Sequence, residues 1–347
     1  MLYVTTTEKI DAFTAQYTLS HDYGPDGGLF VPFQMPRLSK AEINGLRDKT
    51  YGQCIADILN LFFSARLDGW DVDFCIGRYP AKLVSMSHRI VVAETWHNPD
   101  QDFARVVRNL SGRIRGSEDV GGVPTNWARI AVRIAMLFGL FGELERIGLA
   151  DADSTIDISV TSGDFSVPMA VFYARKMGLP VGTIICSCND NSNLWDFLYH
   201  GQLHTNTLAV RTNTSDADVS LPQDLERLIF SAYGVDEVHR FREICSKGAL
   251  YTLDEDQLSV LRDGLFSAVV SGKRMESIIH NVYKSSTYLL DPYAALAYGG
   301  LQDYRASSAE TGNALIISER SPACSSATVA KAMGITVQQL TERLRTN

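Results

Sequence analysis

The segment TIDISVTSGDFSVPMAVFYARKMGLPVGTIICSC, residues 155–188, decides the fold class of this chain. Its two ends, residues 155–160 and 181–188, are short apolar runs that are typical of buried strands. Residues 169–177 between them predict a helix, which a glycine and a proline then end. A strand, a helix and a second strand in this order are typical of two parallel strands joined by a helical crossover. The loop at residues 162–166 therefore leaves the carboxyl end of a buried strand, where open α/β sheets bind their ligands.

Further elements of both kinds lie on either side of this segment. Additional strands are predicted at residues 29–32, 83–84, 89–93, 207–211 and 314–318. Additional helices are predicted at residues 51–67, 103–114, 127–146, 193–198, 223–233, 254–271, 291–304 and 336–344. A short helix is predicted to begin at Ser39, with Glu42 completing a capping box. We expect an α/β fold with a mostly parallel, twisted sheet flanked by helices. Residues 1–80 are expected to form an N-terminal region of helices and short strands, and residues 81–347 a large α/β domain.

The composition excludes several classes of partner. The formal net charge is −8 and no lysine- or arginine-rich run occurs, so binding to nucleic acid is not expected. The most apolar stretch, residues 130–147, is interrupted by Arg133, Glu143, Glu145 and Arg146. No membrane span is therefore expected, and the first residues lack the apolar core of a signal peptide. Six scattered cysteines indicate reduced thiols in a cytoplasmic protein, and no metal site is predicted because Cys186 and Cys188 lack a second Cys or His pair.

Six segments resemble, in the same order along the chain, motifs of the threonine synthases. They are residues 24–32 (GPDGGLFVP, compared with APDGGLYVP), 94–104 (ETWHNPDQDFA, compared with ELxHGPTxxFKDFA), 125–130 (TNWARI, compared with SINWARI), 162–180 (whose ends SGDF and ARKMGLP are compared with SGNFGD and AKKMGLP), 218–228 (DVSLPQDLERL, compared with MDIxxPSNxERL) and 289–295 (LLDPYAA, compared with LDPHTA). The resemblance covers nearly the whole chain. It implies the threonine-synthase fold, which is similar to that of the tryptophan synthase β subunit and is shared by fold type II enzymes that use pyridoxal phosphate.

One departure from the family pattern concerns the cofactor directly. In threonine synthases the lysine before the sequence DFA forms the Schiff base with pyridoxal phosphate, and that position is Gln101 here. An amide nitrogen is not a usable amine nucleophile, so no internal aldimine can form at Gln101. We therefore expect no pyridoxal phosphate and no other cofactor.

Other departures affect the pocket that the resemblance implies. Asp164, Val167 and Pro168 stand in the loop that cradles the cofactor phosphate in the family, where they add a negative charge, bulk and a residue without an N–H group. Glu319 replaces the hydroxyl that faces the pyridine nitrogen. The family's small αβ domain is reduced to a connector at residues 111–125, so the small domain is expected to be largely missing.

Ten residues are candidates for a site in this pocket. The candidate catalytic residues are Asp164, Glu319 and His97, and the candidate substrate-binding residues are Gln101, Asn126, Ser162, Phe165, Ser166, Arg320 and Ser321. Asp164 is either a general base or amine-binding carboxylate, or a helix cap. Glu319 either transfers a proton or forms a salt bridge with Arg320. His97 either binds an anion or shuttles a proton, or makes a structural hydrogen bond.

Two classes of function follow from the family motifs that this chain keeps and from the cofactor-binding residues that it lacks. Threonine synthases act on an amino acid that bears a phosphate ester. The first hypothesis is an enzyme of specialised metabolism, such as antibiotic biosynthesis, that works without pyridoxal phosphate on an amino-acid-like substrate with a phosphate or sulfate leaving group. It would promote elimination or intramolecular displacement by an amine, for example closure of an aziridine ring. The second is a non-catalytic subunit, in which a protein partner or a second copy covers the face left by the missing domain. A lyase or synthase that still uses pyridoxal phosphate remains a third alternative.

Overall fold

The computed structural model describes residues 1–8, 11–76, 81–87, 89–96, 103–116, 127–309 and 311–346. The strands of these residues are β1 (Leu2–Thr5), β2 (Phe13–Thr14), β3 (Phe30–Pro32), β4 (Lys82–Ser87), β5 (Ile90–Glu94), β6 (Ile156–Thr161), β7 (Val181–Cys188), β8 (Gln202–His204), β9 (Leu250–Thr252), β10 (Leu265–Val269) and β11 (Ala314–Ser318). Their α-helices are α1 (Ala15–Ser20), α2 (Lys40–Asn44), α3 (Tyr51–Phe63), α4 (Gly69–Ile76), α5 (Phe103–Arg115), α6 (Trp127–Arg146), α7 (Ser166–Lys176), α8 (Asn193–His200), α9 (Leu225–Tyr233), α10 (Val235–Ser246), α11 (Glu255–Arg262), α12 (Gly272–Ser286), α13 (Pro292–Ser308), α14 (Ser326–Met333) and α15 (Val337–Thr346). Short 3₁₀ turns occur at Gly45–Asp48, Ser215–Ala217 and Pro322–Ser325.

Six strands form the central sheet in the order β10-β7-β6-β11-β5-β4. The first five pair in parallel, and β4 pairs antiparallel with β5 at one edge. Leu315 of β11 lies in register with Val91 of β5 and with Ile158 of β6. The predicted mostly parallel α/β sheet is confirmed, and the carboxyl ends of β6 and β11 lie side by side at one edge.

Apolar side chains cover both faces of this sheet. Adjacent residues of a strand point to opposite faces, and Val91 and Val92 accordingly belong to two separate buried clusters. The Val91 cluster also contains residues of α3, α6 and α7 and reaches Tyr3 in the N-terminal strand β1. The Val92 cluster contains residues of α12, α13 and α14. The division of the chain near residue 80 remains a prediction.

Several local predictions are confirmed. The helix at 127–146 is α6, and the strands at 181–188 and 314–318 are β7 and β11 with the predicted bounds. Ser39 caps α2, and Glu42 completes the capping box by accepting a hydrogen bond of 2.7 Å from the Ser39 backbone N–H.

Two predicted elements are wrong. The helix predicted at 254–271 is instead α11 followed by the edge strand β10, because a short apolar run does not distinguish helix from strand and pairing with β7 selects the strand. The strand predicted at 207–211 is absent from the described structure. In this stretch the backbone groups of Val210 are satisfied by a side chain, since Asn191 accepts from the Val210 N–H at 2.6 Å and donates to the Val210 carbonyl at 2.9 Å.

Among the described residues, no helix combines the length and the apolar character that crossing a bilayer would require.

Candidate functional site

A cavity of about 180 Å³ opens where β6 and β11 end. Its lining consists of Arg133, Val160, Thr161, Ser162, Gly163, Asp164, Val167, Asp216, Ala217, Tyr293, Ile317, Glu319 and Arg320. The loop after β6 supplies Ser162 to Asp164, the loop after β11 supplies Glu319 and Arg320, and α6 supplies Arg133. Pockets for drug-sized ligands measure roughly 300–1,000 Å³, so this cavity is of a size for a smaller molecule.

Asp164 is anchored on two sides at the rim of this cavity. One carboxylate oxygen accepts hydrogen bonds from the Ser166 N–H at 3.0 Å and from the Ser166 hydroxyl at 2.5 Å, which satisfies a donor in the first turn of α7. The other oxygen pairs with Arg129, which also contacts Asp224 at 3.3 Å. Burial acts to raise the pKa of Asp164, but the Arg129 charge and the Ser166 hydrogen bonds outweigh it and hold the pKa below its usual value. A carboxylate with a lowered pKa is a weak base, so this environment favours amine binding over general-base catalysis.

The loop that carries Asp164 is shaped by two residues with positive φ. Gly163 has φ +45° and Phe165 has φ +68°, and the Phe165 N–H closes the turn onto the Ser162 carbonyl at 2.8 Å. The Phe165 side chain is only 1% exposed and packs in the core, which holds this residue in the left-handed region. The turn directs Asp164 toward Arg129 and the cavity.

Glu319 forms an ion pair with Arg133 of α6, whereas the alternative considered from sequence was a pair with Arg320. The Arg133 guanidinium also lies 3.7 Å from the centre of the Phe103 ring, a cation–π distance. Its Nε–H group is buried and has no hydrogen-bond partner among the described residues. Arg133 is therefore fixed in direction, and its Nε–H group is not used by the residues that the structure describes.

Arg320 lines the same cavity and has different partners. It forms an ion pair with Asp216 and lies 5.1 Å from the centre of the Tyr293 ring. The Tyr293 hydroxyl in turn accepts a hydrogen bond from the Asp216 backbone N–H at 3.3 Å. The 3₁₀ turn that carries Asp216 is therefore tied to α13 and to the loop after β11.

The predicted site residues are only partly brought together. Ser162, Asp164, Glu319 and Arg320 line the cavity. Phe165 and Ser166 are buried and are not among the residues that line it: Phe165 fills the core, and the Ser166 hydroxyl is used by Asp164. Their assignment to substrate binding stays a prediction. Ser321 does not line the cavity either, because its hydroxyl caps the following 3₁₀ turn by accepting from the Ala323 N–H at 3.2 Å. His97, Gln101 and Asn126 lie outside the described residues.

The cavity residues that were not predicted from sequence include two charged residues and a tyrosine: Arg133, Asp216 and Tyr293. Arg133 carried a signal, since it is a charge within the otherwise apolar stretch of α6. Asp216 and Tyr293 carried none, because a polar residue in a loop and a tyrosine after a helix cap are both ordinary.

Comparison with known proteins gives consistent results. Residues 2–78 match a family model described as the threonine synthase N terminus. Threonine synthase of Pseudomonas aeruginosa is 27% identical over 198 residues, which cover 56% of this chain and 41% of that protein. Threonine synthase-like 1 of Homo sapiens is 26% identical over 203 residues, which cover 57% of this chain and 26% of that protein. The chain thus spans less than half the length of these curated relatives.

Solved structures are similar over almost the whole chain. The pyridoxal-phosphate-bound threonine synthase of Brucella melitensis matches with a TM-score of 0.86 at 20% identity, covering 96% of this chain and 92% of that one. Yeast threonine synthase matches with a TM-score of 0.82 at 18% identity, covering 96% of this chain and 90% of that one. At such identities the likeness shows the fold.

The residues at the start of α7 do not fit the phosphate of pyridoxal phosphate. A phosphate at a helix N-terminus needs free N–H groups and no competing negative charge. Here the Ser166 N–H is already taken by the Asp164 carboxylate, and Pro168 has no N–H to offer. A phosphate dianion at this loop would also face the negative charge of Asp164, which Arg129 and the Ser166 hydrogen bonds keep ionised.

Proposed function

Because the chain is threonine synthase-like in sequence and in fold, we propose that its cavity binds a small amino-acid-like molecule with a phosphate or sulfate ester and promotes loss of that ester group without pyridoxal phosphate. One observation carries this proposal: two pairs of an arginine with a carboxylate line a single small cavity, Arg133 with Glu319 and Arg320 with Asp216. Such a cavity offers both signs of charge to a zwitterionic ligand with an additional anionic group.

The charges of the cavity divide into two roles. Asp164, with its lowered pKa, stays ionised and can hold a substrate ammonium group. Arg320, about half exposed, is accessible to an anionic group. Glu319 also lines the cavity, directly after β11, and is the carboxylate to which we assign acceptance of a proton. Binding both ends of the substrate would place the reacting atoms in one orientation, which is a large contribution to the rate of an intramolecular step.

Intramolecular displacement by the amine is the favoured form of the reaction. Glu319 first accepts a proton from the substrate ammonium group, which frees the amine lone pair. This lone pair forms a C–N bond to the carbon that bears the ester, the C–O bond breaks, and phosphate or sulfate leaves with the electron pair. A three-membered aziridine ring results when the carbon that bears the amine and the carbon that bears the ester are adjacent. Elimination of the same leaving group would require removal of a proton from carbon, which is harder when no cofactor delocalises the resulting charge.

The direct test is turnover with defined substrates. Purified protein is incubated with O-phosphoserine, O-phosphohomoserine and the corresponding sulfate esters, and released phosphate or sulfate is measured together with the product mass. We expect release without added pyridoxal phosphate and a loss of about 10²-fold or more in Glu319→Gln, which removes the proton acceptor but keeps the shape. Glu255→Gln, at an exposed surface position, is the matched control.

Two results would contradict the proposal. The first is that the protein keeps the absorbance of pyridoxal phosphate after free cofactor is removed and releases phosphate or sulfate only when the cofactor is bound. This result would favour a cofactor-dependent lyase or synthase. Binding of these esters without release of phosphate or sulfate from any of them would favour the non-catalytic subunit.

A further inference from the structure

Taking from the proposed function only that the ligand carries an oxyanion, we infer that Arg133 binds this oxyanion by exchanging its ion pair with Glu319. The carboxylate that neutralises Arg133 in the ligand-free cavity is thereby released beside the bound ligand. Arg133 thus determines specificity for an anionic group, and anion binding controls the availability of Glu319.

The surroundings of Arg133 place its guanidinium for such a role. The side chain is 13% exposed, lines the cavity, and is held against the Phe103 ring at 3.7 Å. A guanidinium has five N–H donors in a rigid fork, and the Nε–H of Arg133 has no partner among the described residues. A phosphate or sulfate with several acceptor oxygens can take the place of the Glu319 carboxylate as the acceptor for this guanidinium.

The other arginine on the inner face of α6 is committed elsewhere. Arg129 contacts both Asp164 and Asp224, and Asp224 is itself buried. Arg129 does not line the cavity. Arg133 is therefore the arginine of this helix that a ligand can reach.

Glu319 is the more exchangeable of the two carboxylates near α6. Asp164 is held by Arg129 and by two hydrogen bonds from Ser166. Glu319 is 36% exposed, and Arg133 is its partner among the described contacts. A ligand oxyanion competes with one carboxylate for Arg133, and the displaced Glu319 side chain moves into a partly hydrated cavity, where its charge is solvated.

The competition between Glu319 and the ligand for Arg133 predicts opposite changes in phosphate affinity for substitutions of Arg133 and of Glu319. Inorganic phosphate and inorganic sulfate are titrated by calorimetry into the wild-type chain and into Glu319→Gln, Arg133→Gln and Arg133→Lys. We expect Glu319→Gln to tighten phosphate binding by about tenfold. In the wild type, phosphate binds only to the fraction of molecules in which Glu319 has released Arg133, and the substitution removes this competition. We expect Arg133→Gln to weaken it by about tenfold or more, and Arg133→Lys to fall between, since lysine keeps the charge but not the fork.

A surface ion pair supplies the controls. Arg262 and Glu255 are 3.9 Å apart and at least partly exposed, and Arg262→Gln and Glu255→Gln are expected to leave phosphate binding unchanged. Far-UV circular dichroism and thermal unfolding establish that each variant is folded. If Arg133→Gln does not fold, the comparison of Glu319→Gln with the wild type still decides the question.

The result that overturns the inference is phosphate binding that Glu319→Gln leaves unchanged or weakens, or that Arg133→Gln leaves unchanged. Absence of phosphate binding in both the wild type and Glu319→Gln overturns it as well. These outcomes are independent of turnover: the expected binding pattern without ester cleavage would reject the proposed function alone, and ester cleavage that Arg133→Gln does not affect would reject the inference alone.

Discussion

At the scale of single residues, two aspartates show that surroundings, rather than residue type, set the role of a carboxylate. At Asp164 the charge of Arg129 and the Ser166 hydrogen bonds outweigh burial, and the pKa lies below its usual value. At Asp291 burial dominates over hydrogen bonds from Ser318, Ala294 and Tyr293, and it raises the pKa to about 6. Asp164 is therefore a permanent charge at the cavity, whereas Asp291 is a buried helix cap that titrates in a mildly acidic range.

The raised pKa of Asp291 predicts a stability change with pH. A carboxyl that binds its proton more tightly in the folded state stabilises the fold below the unfolded pKa of 3.8, and this contribution is lost as pH rises toward 6. Asp291→Asn cannot ionise but keeps the side-chain oxygen that caps α13. Across this window we expect the free energy of unfolding of the wild type to fall relative to that of Asp291→Asn by about 2–3 kcal/mol.

This difference is measured by urea unfolding between pH 3.5 and 7 in steps of roughly half a pH unit. A difference between the two proteins that stays constant with pH would show that Asp291 does not titrate in this range.

At the scale of elements, α6 carries the basic side of the site. Arg129 and Arg133 are four residues apart and therefore lie on the same side of the helix, toward the loops after β6 and β11. The helix is held in position by close contact with α3. Gly139 is the point of closest approach, since a Cβ atom there would lie 2.6 Å from the Tyr51 ring.

This contact predicts an unusual effect of alanine in a helix. Alanine normally stabilises a helix interior relative to glycine, but at Gly139 we expect Gly139→Ala to lower the free energy of unfolding by about 1–3 kcal/mol because the added methyl overpacks against Tyr51. Gly45→Ala is the matched control, since a Cβ atom at Gly45 would meet no atom within 4 Å. It is expected to be neutral or slightly stabilising, by at most about 1 kcal/mol. Chemical denaturation measures both, and equal effects of the two substitutions would contradict the close packing of α3 and α6.

At the scale of the whole molecule, a chain of ion pairs that starts at the partly exposed Asp164 and continues through buried side chains joins the cavity to the N-terminal region. Asp164 contacts Arg129, Arg129 contacts Asp224, and Asp224 contacts Arg227. The Arg227 Nε–H donates to the Phe30 carbonyl of β3 at 3.1 Å. This chain connects the segment that matches the threonine synthase N terminus with the loop that begins α7.

Breaking this chain in its middle should destabilise the whole fold. Asp224 and Arg227 are 4% and 1% exposed, so Asp224→Ala leaves buried arginine charge without its partner. We expect a loss of about 3–5 kcal/mol in the free energy of unfolding. Glu243→Ala removes an exposed carboxylate from a pair with Lys247 and is expected to leave the free energy of unfolding nearly unchanged. Similar small effects of both substitutions would show that the charge chain does not hold the N-terminal region to the sheet.

Much of the fold could be predicted from local sequence. Apolar runs and their spacing predicted α6, β7 and β11 with the observed bounds, since these elements are long or are bounded by clear turn residues. Local sequence failed at β10, where pairing with β7 selects strand over helix, and at residues 207–211, where Asn191 takes the backbone groups that a neighbouring strand would use.

By itself the sequence determined that Asp164 and Glu319 follow strands of one parallel sheet, and that Gln101 stands where threonine synthases have the Schiff-base lysine. Only the tertiary structure decided the partners of those carboxylates. Glu319 pairs with Arg133, which lies 186 residues away along the chain, and not with its neighbour Arg320, which pairs with Asp216. The reason is physical: an ion pair depends on the distance between side-chain tips, and that distance is set by how α6 and the loop at Asp216 pack against the ends of the strands.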